Sequence, residues 1–191
     1  MHIVVTGGMG CGKSTITSYL KTRLKDYQFY DMDEHVRSLY DDERMQQTLM
    51  TTFGTCIRRE ISDIVFANEQ TRNKLYRLMN AIIFKQVASM RQYENVLYDI
   101  PLYFENPDLA EVIPHDAVIC VRCNGVTQRE RIKLRDGFSD EKISSILALQ
   151  LPLDEKATLA DYTIETDGTR EDSIKQLEQI LKYAVDRTYG E

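Results

Sequence analysis

Short apolar runs alternate along the chain with longer stretches whose apolar residues recur every three or four positions. The short runs are typical of buried strands, and the recurring pattern is typical of amphipathic helices. The strands are predicted at Ile3–Thr6, Phe29–Tyr30, Val96–Tyr98, Val118–Val121 and Tyr162–Ile164. The helices are predicted at Glu69–Arg91, Thr127–Arg135, Asp140–Leu149 and Arg170–Arg187, and another begins near Ser14.

This alternation predicts an α/β fold in which helices cover both faces of a central parallel sheet of about five strands. The 191 residues are enough for a single domain with its own core. Parallel sheets of this kind bind their ligands beyond the carboxyl ends of the strands. Functional side chains are therefore expected directly after the short apolar runs.

The charge balance and the cysteines narrow the function classes. Lys and Arg number 24 and Asp and Glu number 30, a net charge of −6, which argues against a protein that coats nucleic acid or membranes. No apolar run reaches the length of a membrane span and no signal peptide is recognised, so a cytoplasmic protein is expected. The four cysteines are expected to be reduced thiols. Cys120 and Cys123 are expected on opposite faces of one strand rather than in a metal or redox site.

A glycine-rich segment follows the first predicted strand directly. Gly7, Gly12, Lys13 and Ser14 satisfy the phosphate-binding pattern G-x-x-x-x-G-K-[ST], and the strand before it and helix after it are its expected context. The backbone amides of such a loop face an anion, and the helix N-terminus adds its positive dipole end. The predicted ATP-binding residues are Gly8, Met9, Gly10, Cys11, Gly12, Lys13, Ser14 and Thr15. Lys13 is expected to reach the β- and γ-phosphates, and the Ser14 hydroxyl to ligate Mg²⁺.

Carboxylates follow the second and third predicted strands. Asp31 and Asp33 come after the second strand, where a carboxylate can accept the proton of an attacking hydroxyl or hold Mg²⁺ through water. The alternative for Asp33 is that it caps the following helix. Asp99 ends the third strand and is a candidate for contact with Mg²⁺ or substrate. The alternative for Asp99 is a turn residue before Pro101.

Two arginines follow the fourth strand at helical spacing. Arg131 and Arg135 are four residues apart and hence lie on one helix face. Guanidinium groups suit phosphoryl oxygens in flight, and such arginines are often carried by a mobile lid that excludes water. A solvated charged face is the alternative that the mixed charge of this helix leaves open.

Taken in order, these motifs resemble the dephospho-CoA kinase family, a group of P-loop kinases of the nucleoside-monophosphate-kinase type. The resemblance covers almost the whole chain and rests on the order and spacing of several segments. They are the phosphate loop, Asp31-Met32-Asp33, Ile64-Val65-Phe66, Ile100-Pro101-Leu102-Tyr103-Phe104-Glu105, Gln128, Arg131, Arg135, Gln150 and Ala160-Asp161. It implies a three-layer αβα domain with ATP and Mg²⁺ as donor and cofactor, and transfer of the γ-phosphate to the ribose 3′-hydroxyl of dephospho-CoA.

The resemblance also implies roles for particular residues. Asp33 would be the base, and Arg135 would be the lid arginine over the phosphates. An acceptor-binding helical insert is expected at about residues 35–92 and a lid at about 127–150. Beyond Asp33, the expected acceptor contacts are Asp31, Arg59, Asp99 and Pro101. Ser14 and Asp99 are the expected ligands of Mg²⁺, with Asp99 binding it directly or through water.

The chain departs from the family pattern at three places, of which the first two lie in or beside the acceptor region. The family has a His-Pro pair where Asn80-Ala81 stands, a longer segment between Phe53 and Arg59, and an Asn in the adenine-binding turn where Thr166-Asp167-Gly168 stands. Kinase chemistry is therefore better supported than the acceptor's identity. The alternatives are a deoxynucleoside monophosphate kinase, a kinase acting on a hydroxyl of a modified nucleotide in DNA, and a regulatory P-loop NTPase switch. The acidic balance favours a small anionic nucleotide over nucleic acid.

Overall fold

The computed structural model of the chain describes residues 1–189, with side chains as far as Ala184. Strands and helices alternate through most of it, as the sequence pattern predicts. In chain order the elements are β1 His2–Gly7, α1 Lys13–Arg23, β2 Gln28–Asp31, α2 Met32–Leu39, α3 Glu43–Phe53, α4 Arg58–Ala67, α5 Glu69–Met90, β3 Val96–Asp99, α6 Pro107–Val112, β4 Ala117–Arg122, α7 Gly125–Asp136, α8 Asp140–Leu147, α9 Leu153–Leu159, β5 Tyr162–Glu165 and α10 Arg170–Tyr189.

The strands form one parallel sheet in the order β2-β3-β1-β4-β5. The predicted five-stranded sheet is confirmed, and each predicted strand lies within an observed one. In the register, Asp31 of β2 pairs with Asp99 of β3, and Asp99 pairs with Val5 of β1. Val5 lies two residues before Gly7, the last residue of β1. The carboxyl ends of β1, β2 and β3 therefore bring the phosphate loop and both aspartates to one edge of the sheet.

Helices bury both faces of the sheet. Neighbouring residues of each strand point to opposite faces, so each strand contributes side chains to both. In β1, Ile3 and Val5 pack with α1 and α10, whereas Val4 packs with the helices of the segment between β2 and β4. Leu177 of α10 is fully buried in the core that contains Ile3 and Val5. This three-layer arrangement is the predicted αβα architecture.

The segment at residues 35–92 is almost wholly helical, from within α2 to the end of α5. The helix predicted at Glu69–Arg91 is confirmed as α5, whereas α3 and α4 were not predicted individually. Side chains fix where these helices begin: Asp42 caps α3 and Asn68 caps α5 by accepting bonds from backbone amides. Within the described part of the chain, no helix is both long and apolar enough to cross a membrane.

The cysteines are free thiols, but one of them does not lie where the sequence pattern placed it. β4 ends at Arg122, so Cys123 lies just beyond the strand that contains Cys120. The Cys123 sulfur instead lies 3.4 Å from that of Cys11 in the phosphate loop. The two thiols pack the loop against the end of β4.

Candidate active site

The phosphate loop connects β1 to α1 with a backbone that demands glycine at Gly12. This residue has φ 80° and ψ 16°, a left-handed conformation, and it stands immediately before the first residue of α1. Gly7 has a different constraint, because a Cβ there would lie 2.3 Å from the Val121 carbonyl oxygen of β4. The loop is therefore fixed both by its own backbone conformation and by its close contact with the neighbouring strand.

Two glutamines brace the loop from the segment at residues 127–150. The Gln128 amide nitrogen donates to the Met9 carbonyl (2.8 Å), and the Met9 backbone N–H donates to Gln150 Oε1 (3.3 Å). Gln128 is buried, and its bond to the Met9 carbonyl satisfies the buried amide nitrogen. Both glutamines belong to the motifs that carry the family resemblance, and the structure gives each of them a contact that holds the loop.

A cavity of about 460 Å³ lies over the loop, and Gly10, Gly12, Ser14, Thr15 and Ile16 form one of its walls. Its other walls are α7, the turn between β5 and α10, and the first residues of α10. The residues from these walls are Arg131, Leu134, Arg135, Thr166, Gly168, Thr169, Arg170 and Ser173. The cavity thus has glycine backbone and hydroxyls on one side and arginines on the other, which suits a polyanion.

Thr166 connects the two sides of this cavity. Its hydroxyl donates to the Cys11 carbonyl (2.9 Å) and accepts a bond from Arg131 Nη1 (3.0 Å). Arg131 Nη2 also donates to the Thr166 carbonyl (2.6 Å), so two bonds hold the guanidinium beside the loop. A Cβ built on Gly12 would lie 3.9 Å from Arg131 Nη1. Arg131 is therefore already positioned at the phosphate loop.

Arg135 lines the same cavity, but the hydrogen bonds given for its side chain are made within its own helix. Its Nε and Nη2 atoms donate to the two carboxylate oxygens of Asp136, at 2.9 and 2.7 Å, and the side chain is 59% exposed. The helix ends here, because Gly137 takes a left-handed conformation as the C-cap of α7. α7 packs against α8 in the predicted lid, where Arg129 Nη1 donates to the Ser144 hydroxyl (3.1 Å). The lid role itself stays a prediction.

The structure assigns different positions to the two aspartates that follow β2. Asp31 caps α2, since its Oδ1 accepts a bond from the Glu34 backbone N–H (2.9 Å). Asp33 lies in the first turn of that helix, with no side-chain hydrogen bond or ion pair found among the described residues. The helix-capping alternative thus belongs to Asp31, and the carboxylate of Asp33 is left for another role.

The surroundings of Asp33 combine burial with opposing charges. Protein atoms around the carboxyl raise its pKa above the usual value, Lys13 opposes that rise, and the charges of Asp31 and Asp99 add to it. The Lys13 ammonium itself forms an ion pair with Oδ1 of the buried Asp99. The lysine of the phosphate loop therefore acts electrostatically on both aspartates.

Asp33 also lines a second cavity, of about 480 Å³, between the sheet edge and the helices of residues 35–92. Its walls are mostly apolar and carry two tyrosines, three carboxylates, one arginine and three amides. The lining residues are Met32, Asp33, Val36, Tyr40, Asn73, Leu75, Tyr76, Arg77, Met79, Asn80, Ile83, Pro101, Leu102, Glu105, Asn106, Asp108 and Leu109. Both cavities are within the size range of small-molecule sites.

The comparisons with known proteins decide the family. A profile of the CoaE dephospho-CoA kinases matches residues 1–172. The chain belongs to the dephospho-CoA kinase family. The dephospho-CoA kinase of Streptococcus mutans is 33% identical over 194 residues, which cover 94% of this chain and 96% of that protein. The dephospho-CoA kinase of Lactobacillus acidophilus is 30% identical over 193 residues and 94% of each chain. The chain is thus a kinase, and the family implies ATP as its phosphate donor.

Solved structures agree on the fold. A Thermus thermophilus protein aligns with a TM-score of 0.75 at 24% identity, over 96% of this chain and 97% of that one. A dephospho-CoA kinase from Campylobacter jejuni gives 0.60 at 20% identity, over 96% of each chain. The shikimate kinase of Aquifex aeolicus gives 0.57 at 18% identity, over 97% of this chain and 98% of that one. The three-layer P-loop kinase fold expected from the sequence is confirmed.

Not every residue expected at the acceptor comes to the site. Pro101 lines the second cavity, as does Asn80, one of the departures from the family pattern. Asn80 accepts a bond from the Asn106 amide (3.1 Å) and so has a defined place in the wall. Arg59 is exposed on α4 and lines neither cavity, whereas Arg77 on α5 does line the second one. Sequence reasoning did not single out Arg77, because nothing in the spacing of α5 shows which face meets a cavity.

Magnesium binding would use oxygen atoms that this site already presents. Ser14 lines the first cavity, and Asp99 lies at the same sheet edge in an ion pair with Lys13. Hard oxygen donors of this kind suit Mg²⁺, which keeps several waters and is completed by substrate phosphates. In the described part of the chain, no group of three or more His, Cys, Asp and Glu side chains is arranged to hold a metal alone. The residues present therefore fit a metal that arrives with a nucleotide.

Proposed function

We propose that the protein transfers the γ-phosphate of ATP to the ribose 3′-hydroxyl of dephospho-CoA, or of a closely similar nucleotide. The single observation that supports this most directly is the position of Asp33. Its carboxylate lines the second cavity and interacts electrostatically with Lys13 of the phosphate loop. A carboxylate between a phosphate-binding loop and a mostly apolar cavity is placed to accept a proton from a hydroxyl held there.

ATP would occupy the first cavity, with its phosphates on the loop at Gly8–Thr15. The glycine backbone of the loop and the N-terminus of α1 favour negative charge. Arg131 stands beside Gly12 through its two bonds to Thr166, ready to contact phosphoryl oxygens. Mg²⁺, held by Ser14 and by Asp99 directly or through water, would neutralise charge on the β- and γ-phosphates.

The acceptor would occupy the second cavity with its reacting hydroxyl at Asp33. The carboxylate orients that hydroxyl and takes its proton as the oxygen attacks the γ-phosphorus. The apolar walls and the rings of Tyr40 and Tyr76 suit a nucleoside, and Arg77 supplies a cation for acceptor phosphates. Arg135, released from Asp136, would stabilise charge on the phosphoryl oxygens in flight.

The test is acceptor-dependent release of ADP. The purified protein is given ATP and Mg²⁺ with dephospho-CoA, each deoxynucleoside monophosphate, or oligonucleotides with and without modified bases, and the phosphorylated products are identified by mass. Stimulation by dephospho-CoA with formation of CoA is the expected result. Stimulation by another acceptor alone would replace the substrate, and hydrolysis that no acceptor stimulates would favour an NTPase switch.

A further inference from the structure

Asn80 of α5 belongs to a short chain of hydrogen bonds that fixes the orientation of its amide. At the start of α6, the Leu109 backbone N–H donates to Asn106 Oδ1 (3.3 Å), and the Asn106 NH₂ group donates to Asn80 Oδ1 (3.1 Å). Because a backbone N–H can only donate, this chain assigns the oxygen and the nitrogen of both amides. The Asn80 NH₂ group is therefore the end that the chain leaves unused.

This NH₂ group is accessible as well as unused. No hydrogen-bond partner of Asn80 Nδ2 is found among the described residues. The residue is half-buried, yet its Nδ2 atom is not among the fully buried side-chain atoms that lack a partner in that part of the chain. The nitrogen thus keeps accessible surface, and a ligand can reach its two N–H donors.

The helix face that carries Asn80 is a wall of the second cavity. Positions three and four apart on a helix share one face. Tyr76 and Arg77, four and three residues before Asn80, line this cavity, and so does Ile83, three residues after it. Asn80 itself and its partner Asn106 also line it. The accessible amide nitrogen therefore lies at the space in which the phosphate acceptor would bind.

From this geometry we infer that Asn80 Nδ2 donates a hydrogen bond to an uncharged atom of the acceptor nucleotide, a ring nitrogen or a ribose oxygen. Asn106 is the positioning residue that sets the amide for this contact. The inference deepens the proposed function and rests on it. Arg77, the cation among the residues that line this cavity, matches phosphate oxygens, whereas an uncharged amide suits uncharged atoms. Asn80 is thus a specificity residue for the nucleoside part of the acceptor.

The departure from the family pattern at this position keeps the hydrogen-bonding capacity. The family has a histidine where Asn80 stands. A neutral imidazole accepts at one ring nitrogen and donates from the other, just as Asn80 accepts at Oδ1 and can donate from Nδ2. Either side chain can accept the bond from Asn106 and offer a donor to the cavity. The change of residue therefore favours the same class of acceptor rather than a new one.

Two substitutions separate the donor from the shape of the side chain. Asn80→Leu keeps nearly the same volume and loses both polar atoms, whereas Asn80→His changes the shape and keeps an acceptor and a donor. We expect Asn80→Leu to raise the KM for dephospho-CoA by about tenfold or more, with the KM for ATP within about threefold of wild type. Asn80→His should keep the acceptor KM within about threefold of wild type. A side chain that only fills space would give the opposite order.

The matched control replaces another amide of the same helix. Gln86 is exposed on α5 and lines neither cavity, so Gln86→Leu should leave both KM values unchanged. Melting temperatures of all variants show whether each is folded.

Asn106→Asp tests how the amide of Asn80 is oriented. Aspartate also caps helices, so the bond from the Leu109 N–H is kept, but a carboxylate has no N–H to offer Asn80. The Asn80 amide should then turn its NH₂ group to the new carboxylate and its oxygen to the cavity. We expect the acceptor KM to rise about as much as in Asn80→Leu, and Asn106→Asp should add little to Asn80→Leu in the double variant. Fully independent effects would contradict the positioning role.

Analogues of dephospho-CoA identify the atom that is contacted. The panel replaces N1, N3 or N7 of adenine by carbon, or removes the ribose 2′-hydroxyl. For the analogue that lacks the contacted atom, wild type and Asn80→Leu should have the same KM, whereas the other analogues should keep the difference.

The outcomes separate this inference from the function on which it rests. Failure of wild type to phosphorylate any acceptor overturns the proposed function. An active wild type with an unchanged acceptor KM in a folded Asn80→Leu variant overturns the role of Asn80 alone. So does an acceptor KM raised equally in folded Asn80→Leu and Asn80→His, or a difference that no analogue abolishes, because the effect would then come from the shape of the cavity.

Discussion

Removing the Asp33 charge is the most direct test of the proposed chemistry. Asp33→Asn keeps the side chain's size, and no hydrogen bond or ion pair of Asp33 is found in the described part of the chain, so the substitution breaks no such structural contact. The expected loss is therefore that of a general base, about 10²- to 10⁴-fold in kcat. Each factor of ten is about 1.4 kcal/mol, so the activation barrier should rise by about 3 to 5.5 kcal/mol.

The assay follows ADP release at saturating ATP and dephospho-CoA, with ATP binding measured separately by titration. Asp42→Asn is the matched control, since it replaces another aspartate at a helix N-terminus that lies outside both cavities. Asp31→Asn separates the two neighbours, because asparagine also caps helices and should retain most of the activity. An Asp33→Asn enzyme with kcat within tenfold of wild type would refute the role of base, as would inactivity of Asp31→Asn alone.

The pH dependence supplies a second reading of the same residue. Because its surroundings raise the pKa of Asp33, the acid limb of kcat/KM should lie above the range of an ordinary aspartate, about 3.9, and disappear from the residual activity of Asp33→Asn. A raised pKa in the folded state also means that ionisation of Asp33 lowers stability as pH rises through that pKa. The Asn variant should therefore melt no lower than wild type at neutral pH, and a clear drop would contradict this electrostatic picture.

Three further substitutions test the walls of the two cavities. Arg135→Met should lower kcat by about 10²- to 10³-fold, as loss of one transition-state donor does, whereas Arg129→Met in the same helix should leave kcat within threefold. Arg77→Met should raise the KM for dephospho-CoA by about tenfold or more, and Arg59→Met should not; the reverse result would support the sequence-based choice of Arg59. Thr166→Val should raise the KM for ATP and lower the free energy of unfolding by about 1 to 3 kcal/mol, measured by urea denaturation.

The elements that local sequence determines were predictable. Buried parallel strands are short apolar runs, and the phosphate loop is a contiguous motif whose backbone requirements fall on glycines such as Gly12. The long helix α5 shows its period clearly, whereas α9 has only seven residues and includes a lysine, Lys156, at its buried position. Nothing in so short a segment distinguishes it from a polar loop.

Contacts made by distant parts of the chain were not predictable. Lysine is almost never fully buried, so Lys156 would be placed on the surface by any pattern, and its partner Glu105 is 51 residues away. The choice between Asp31 and Asp33 depends on which carboxylate caps α2, which is a matter of backbone geometry. In the same way, Arg59 and Arg77 both stand on helices of the expected segment, and only packing shows which of them reaches the cavity.

The placement of charge explains how an acidic protein can bind polyphosphates. The chain carries a net charge of −6, yet Arg131 and Arg135 line the first cavity, Arg77 lines the second, and Lys13 lies in the phosphate loop. A surface that coats a polymer spreads its cations over a broad face, because affinity then grows with the number of phosphates neutralised. Here the cations are gathered at the phosphate loop and the first cavity, of about 460 Å³, whereas the second, of about 480 Å³, sets Arg77 among the carboxylates of Asp33, Glu105 and Asp108. Each cavity is sized for one nucleotide-like molecule. The distribution, rather than the total, favours two small anionic substrates meeting at Asp33.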